Sequence, residues 1–312
     1  PKEDHERVIH GIRALNSDNP VHTIEHRVLD PSGNIRWFQW TNRLLSDHGG
    51  RRVEYQGVGR DITGQKGAEA KIRQYIADRE FLTQTALGFM NLRDDENPYQ
   101  YIADQVYTRI PDQIVAVSSI NPSERTVTLQ SVAGLDESVF EEFRNLGVFL
   151  FGKPFSLDKD PDVEAIFKTK YLTPGPALYN LLFREFPEDV CIQLGNRIGF
   201  GKSYVMGFVH EGTIFGSVTI ILRPGEELKN REILELFLNQ ASIALLHKHA
   251  RQELRNSEKI YRSVIENIQD VFYRSDTAGN LIMASPSWAK MLGYASPDDC
   301  IGYNIAEKFW IE

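Results

Sequence analysis

Gly199-Phe200-Gly201-Lys202-Ser203 holds the glycines, lysine and hydroxyl of a phosphate-cradling loop. Such a loop needs a further glycine at position 196, where Asn196 stands, and must lead from a strand into a helix. The residues from Tyr204 onward have strand character instead, so these glycines are expected to enter a hairpin. Gly57-x-Gly59 is a similar pair inside a strand pattern. A phosphoacceptor histidine would be followed by an acidic residue on a helix, but His247 and His249 are followed by Lys248 and Ala250. His5 precedes Glu6 without a helix-length apolar pattern. No Cys-x-x-Cys or His-Glu-x-x-His run points to zinc. The two cysteines, Cys191 and Cys300, make neither a disulfide framework nor a metal cluster and fit a reducing, cytoplasmic setting. A catalytic constellation is therefore not expected, and any kinase activity would lie outside this chain.

Other residues point to binding or relay. Asp61 and Thr63 fall where a strand hands over to a helix, where polar side chains bond free backbone amides and fix the exit angle. The plainer reading of the pair is an N-cap, with Gly64 following. Phe155, Tyr204 and Phe208 are either the lining of a small-molecule pocket or ordinary aromatic core. Cys191 reads from its own residues as a buried structural thiol. His210 falls in a tight turn, where exposure is the default.

These residues sit in an ordinary globular composition of 312 residues, 41% hydrophobic and 25% charged. A net charge of −8 argues against a nucleic-acid-binding face. No apolar run reaches the roughly 18–20 residues of a membrane span, and the charged opening is not a signal peptide.

Three strand patterns open the chain: Val21 to Leu29, Ile35 to Leu45 and Arg52 to Ile62. The turns Asp30-Pro31-Ser32-Gly33-Asn34 and Asp47-His48-Gly49-Gly50 separate them. From Gly67 the period becomes helical, with Ile72, Tyr75, Arg79, Leu82, Ala86 and Phe89 in a heptad-like seam. That seam either pairs two chains or lies on its own domain. Residues 97–247 read as one α+β domain. It has a helix at 98–110, strands at 113–120 and 125–133, and a helix at 136–144. Short helices are expected at 161–168 and 177–186, then a hairpin of 203–209 with 213–222. A long helix from near Asn230 carries Leu234, Leu238, Ala241 and Leu245. The apolar positions resume at Leu254, Tyr261, Ile265 and Ile268, a lapse expected to shift the stripe as a stutter does. Residues 271–275 and 281–284 form a last hairpin around Asp276 to Asn280. Ser285 then caps a helix with Pro286 at its first position and Gly293 past its end.

The block from Tyr261 resembles the first half of a PAS domain, through Asp276-x-x-Gly279, Leu281-Ile282 and Trp288 to Tyr294, with Ser285 where many members have Asn. The opening block resembles the second half of the same family. It matches through Glu25 to Val28, Asp30 to Gly33, Ile35-Arg36-Trp37 and Gly59-Arg60-Asp61-Ile62-Thr63. The middle resembles a GAF domain, through Ile214 to Val218 and Leu236 to Ala244.

The resemblance implies an α+β, antiparallel-sheet GAF domain with long flanking helices and two partial PAS-like antiparallel segments. The expected boundaries are 1–66, a connecting helix 67–96, the GAF-like domain 97–247, a helical connector 248–262 and 263–312. It further implies a sensory module of a histidine-kinase-type signalling protein, a homodimer through the flanking helices, and an output domain in the same polypeptide. Some GAF relatives hold heme or tetrapyrrole through Cys or His, which makes Cys191 the candidate attachment point, although Ile192 stands where bilin-binding members have His. The two PAS-like segments are expected to complement each other, within or between chains.

Overall fold

A computed structural model describes residues 1–16, 18–47, 51–267 and 270–309. The expected turn residues His48-Gly49-Gly50, the stripe residue Ile268 and the closing Trp310-Ile311-Glu312 lie outside the described residues, as does the side chain of Ile265. The chain divides into two compact units, Pro1–Gly88 and Phe89–Glu312.

The first unit opens with a helix the sequence reading did not contain, α1 (Lys2–Arg13). Val8, Ile12 and Leu15 recur at spacings of four and three, a short stripe among charged residues, and Leu15 is buried. What holds it is tertiary: the Asp4 carboxylate accepts the Arg27 backbone N–H at 3.0 Å and Arg27 Nε at 2.9 Å. Arg27 holds the Asp4 carboxyl far below the usual range. Strands β1 (Val21–Leu29), β2 (Ile35–Ser46) and β3 (Arg52–Asp61) then form the expected antiparallel meander. The β1–β2 turn is locked by Asp30 Oδ1, which accepts the Ser32 and Asn34 amides at 3.0 and 2.9 Å. Helix α2 (Thr63–Asn91) follows directly from β3.

The second unit is built on a six-stranded antiparallel sheet. Its first elements are α3 (Pro98–Arg109), β4 (Ile114–Asn121), β5 (Thr126–Ala133) and α4 (Glu137–Asn145). There follow β6 (Pro154–Ser156), α5 (Pro161–Phe167), β7 (Thr173–Pro174), α6 (Leu178–Leu181) and α7 (Glu188–Ile198). The hairpin β8 (Ser203–His210) and β9 (Thr213–Ile221) and the long helix α8 (Arg231–Asn267) complete it. The strand order is β6-β5-β4-β9-β8-β7. Helix α7 was not among the expected elements, and α6 is a single turn where a helix over 177–186 was expected.

The two faces of this sheet differ. Val205, Phe155, Val163, Phe167 and Phe183 share one buried cluster under α5 and α6. Helices α3 and α8 pack on β4, β5 and β8. The false phosphate loop is the junction of α7 and β8. Gly199 ends α7 in the left-handed conformation at φ 63°, and the Phe200 amide bonds the Gly195 carbonyl at 2.8 Å. Lys202 pairs with Glu227.

The chain continues with the hairpin β10 (Tyr273–Ser275) and β11 (Leu281–Ala284), α9 (Pro286–Met291) and α10 (Ile305–Phe309) around a small core of Leu281, Ala284, Trp288, Cys300 and Ile305. Ser285 caps α9 as expected, its Oγ accepting the Trp288 amide at 3.2 Å and the Phe272 amide at 3.1 Å. The Asp276 turn repeats the Asp30 turn, with Oδ1 accepting the Ala278 and Asn280 amides at 2.9 and 2.8 Å.

Gly207 marks where β8 is crossed most closely: a Cβ there would lie 1.6 Å from the Phe167 carbonyl oxygen. Gly207→Ala is therefore expected to destabilise the second unit by about 1–3 kcal/mol, read as a lower urea midpoint with unchanged slope.

Candidate functional site

The junction of β3 and α2 is the most fully bonded of the expected relay points. The Asp61 Oδ1 accepts the Thr63 amide at 2.9 Å, satisfying a free N–H at the helix start. The Thr63 hydroxyl accepts the Trp37 backbone N–H at 2.9 Å, and the Ile62 amide bonds the Trp37 carbonyl at 2.8 Å. Asp61 also meets Arg36 at 3.3 Å. Thr63, and then Arg36, hold the Asp61 carboxyl below the usual range. One turn on, Lys66 Nζ lies 2.6 Å from Glu25 on β1 and 5.7 Å from the centre of the Trp37 ring. The first turn of α2 is thus fastened to all three strands, which is more than an N-cap.

Phe155, Tyr204 and Phe208 do not line one pocket. Successive residues of a strand point to opposite faces. Val205 faces the cluster that contains Phe155, so Tyr204 and Phe208 face the other way. Phe208 is fully buried against Phe215, with ring centres 6.2 Å apart. Cys191 lies on the buried face of α7, its Sγ 4.0 Å from the Phe186 carbonyl oxygen, and burial pushes its thiol up. Its surroundings are closed to solvent. His210 is exposed at the hairpin end. Among the described residues no group of three or more His, Cys, Asp or Glu side chains is placed to hold a metal ion.

The two connecting helices carry the remaining candidates. On α2, Ile72 and Tyr75 are exposed, whereas Phe89 packs edge-on to Tyr101 at 4.9 Å and stacks on Phe237 at 6.1 Å. The seam therefore divides, its start left in solvent and its end fixed to the second unit. On α8 the apolar stripe changes phase past Leu245, as expected. Leu234, Leu238, Ala241 and Leu245 are buried, and Leu236, Ile243, Leu254 and Tyr261 form a different, exposed face. Those four are separated by seven, eleven and seven residues, two heptad steps joined by a heptad plus four, the spacing of a stutter. The exposed stripe lies on the opposite side of the helix from the buried one.

Two polar arrangements escaped the sequence reading. Asp160, with no exposed surface, accepts from Asn180 Nδ2 at 2.8 Å and Arg184 Nε at 2.9 Å. Burial pushes its carboxyl up, but Asn180, the Val163 amide and Arg184 outweigh that and hold it low. Phe183 and Arg184 both take the left-handed conformation, at φ 53°, to bring that guanidinium inward. The second is Tyr99, whose hydroxyl lies 3.0 Å from His249 Nε2 on α8. Asn97-Pro98, a cap followed by proline, signalled the helix that places Tyr99; nothing local signalled its partner.

Residues 259–311 match the family model of the PAS domain. Over 264 residues the chain is 23% identical to the methyl sulfide methyltransferase-associated sensor of Methanosarcina acetivorans, covering 82% of this chain and 24% of that protein. The chain thus spans about a quarter of the length of that relative. Among solved structures it is similar to the GAF domain of an Acinetobacter phosphoenolpyruvate-protein phosphotransferase (11% identity, 55% of this chain and 93% of that one, TM-score 0.40). It is also similar to the chromophore-binding domain of a bacteriophytochrome from R. palustris (12% identity, 80% and 81%, TM-score 0.40). No helix among the described residues is long and apolar enough to cross a membrane.

Thr63→Val leaves the Trp37 amide without its acceptor and is expected to cost about 1–2 kcal/mol, measured by urea unfolding of the first unit. Because the Asp61 pKa is depressed, its contribution is present above the ordinary carboxylate value and lost as pH falls through the depressed one. In Asp61→Asn that acid-side loss is expected to shrink, measured as the midpoint of acid unfolding.

Proposed function

We propose that this chain is a sensory and relay module of a longer signalling protein, in which an event in residues 97–247 is passed on through the helices on either side. The observation that carries this reading is α8. One face belongs to the core of the second unit, while the opposite face offers Leu236, Ile243, Leu254 and Tyr261 to solvent as one stripe. A helix built in this way transmits a rotation or shift of its core-bound half to whatever its free half contacts. The Asp61–Thr63–Trp37 junction does the same for α2, by making the helix direction depend on the sheet that precedes it.

In this reading residues 97–247 act as a GAF-like sensor and the segments 1–66 and 263–312 as PAS-like halves, joined by helical connectors at 67–96 and 248–262. The PAS match at 259–311 and the relative named as a sensor support that assignment. The output domain is in the same polypeptide, of the histidine-kinase type implied by the resemblance, in a cytoplasmic two-component pathway. The module is a parallel homodimer through α2 and α8. Its input is a small molecule or a protein contact, and native mass spectrometry of the purified protein tests the former by retained mass.

Sedimentation of the 312-residue chain tests the relay geometry. The wild type is expected to dimerise, and Ile243→Glu with Leu254→Glu to weaken the dimer by more than about tenfold, each buried apolar side chain being worth about 1.5–3 kcal/mol. Circular dichroism should stay unchanged. A wild type that remains monomeric at high concentration overturns the dimer.

A further inference from the structure

Among the described side chains of α8, Leu245 is the last buried one, yet the helix runs on to Asn267. Just past that point three of its side chains reach back to one short stretch, residues 93–99. Lys248 Nζ donates to the Glu96 carbonyl at 2.8 Å, Arg255 pairs with Asp94, and His249 meets the Tyr99 hydroxyl at 3.0 Å. The same stretch joins the end of α2 to the start of α3, so it touches the incoming and the outgoing helix.

His249 differs from the other two contacts because it is enclosed. Its ring is half-buried, packs edge-on to Phe215 on β9 with centres 6.2 Å apart, and faces a Tyr99 that is itself buried. Tyr99 comes from α3 and stays protonated, its pKa pushed up to about 12 by burial. Phe215 brings no charge. The charged groups acting on the ring are Glu253 and Lys248, both from α8. Beyond Lys248 lie the Glu96 carboxylate, bonded to Arg93, and Asp94, paired with Arg255.

A neutral imidazole suits this site: one ring nitrogen exchanges a hydrogen bond with the Tyr99 hydroxyl. An imidazolium donates from both nitrogens and can keep the contact only by reversing it, with the Tyr99 oxygen accepting, which leaves the buried Tyr99 O–H proton without its acceptor. The charge would also be partly desolvated and beside Lys248.

We propose that His249 and Tyr99 form a pH-sensitive clasp, closed with the imidazole neutral and opened by its protonation, which frees α8 beyond Leu245 from residues 93–99. Burial, with Lys248 adding to it and Glu253 opposing, holds His249 below the ordinary imidazole value of 6.5. The sign follows. The freed state binds the proton more tightly, so the closed clasp is fully favoured above about pH 6.5 and weakens as pH falls below it. The consequence for signalling rests on the relay reading; the clasp itself does not depend on dimerisation.

Hydrogen exchange of the 312-residue chain, followed by mass spectrometry on peptides from 246–262 and corrected for intrinsic rates, tests this. Between about pH 7.5 and about pH 5.5 the wild type is expected to lose more than about fivefold in protection, as a titrating histidine would dictate. His249→Gln, a neutral side chain that still bonds the Tyr99 hydroxyl, should change by less than about twofold. Tyr99→Phe should be weakly protected at both pH values. Flat wild-type protection, or an equal loss in His249→Gln, overturns the clasp. Imidazole NMR on the wild type is independent of any variant: titration of His249 at or above the ordinary value also overturns it. Sedimentation of the same samples separates this result from failure of the dimer.

Discussion

Leu234, Leu238, Ala241 and Leu245 are buried together on the second unit, and through them the core sets the direction of α8. A continuous helix carries its hydrogen-bond ladder forward by about 1.5 Å per residue and curves only gently, without sharp changes of direction. Once its first half is anchored, the position of its second half follows. The exposed stripe Leu236, Ile243, Leu254 and Tyr261 is aimed by the same anchoring, as are the three side chains that hold residues 93–99.

Helix α2 is anchored by different physics. Few of its residues are buried, and its start is fixed by hydrogen bonds: Asp61 to the Thr63 amide, Thr63 to Trp37, Lys66 to Glu25. Directional bonds set an exit angle where apolar packing would tolerate rotation. Its far end returns to apolar contact through Phe89 on Tyr101 and Phe237. Each connecting helix is thus fixed at particular points and exposed between or beyond them.

The elements were largely legible because their signals are local. Asp30 and Asp276 each announce a turn that their own carboxylate closes, Ser285 caps the helix that follows it, and β8 and β9 are two apolar runs, buried nearly throughout, either side of His210-Glu211-Gly212. Helix α1 was not legible, since its stripe of Val8, Ile12 and Leu15 is short and an Asp4–Arg27 ion pair across 23 residues helps to hold it. Nor was α7, whose sequence offers only a short apolar face. The lapse in the apolar positions of α8 was legible, but that the buried and exposed stripes take opposite faces came only from the structure.

The candidate chemistry divides in the same way. The sequence alone disposed of the phosphate loop, through Asn196 and the strand that follows, and it placed Asp61 and Thr63 at a junction, because both conclusions need only neighbouring residues. Whether Phe155, Tyr204 and Phe208 share a cavity depended on which side of β8 each one takes. Whether Cys191 is reactive depended on what covers it. The partnership of Tyr99 with His249 joins positions 150 residues apart in sequence. Such facts belong to the tertiary structure alone, because burial and pairing are set by what the folded chain brings alongside a residue, and neither its type nor its neighbours in sequence carries that information.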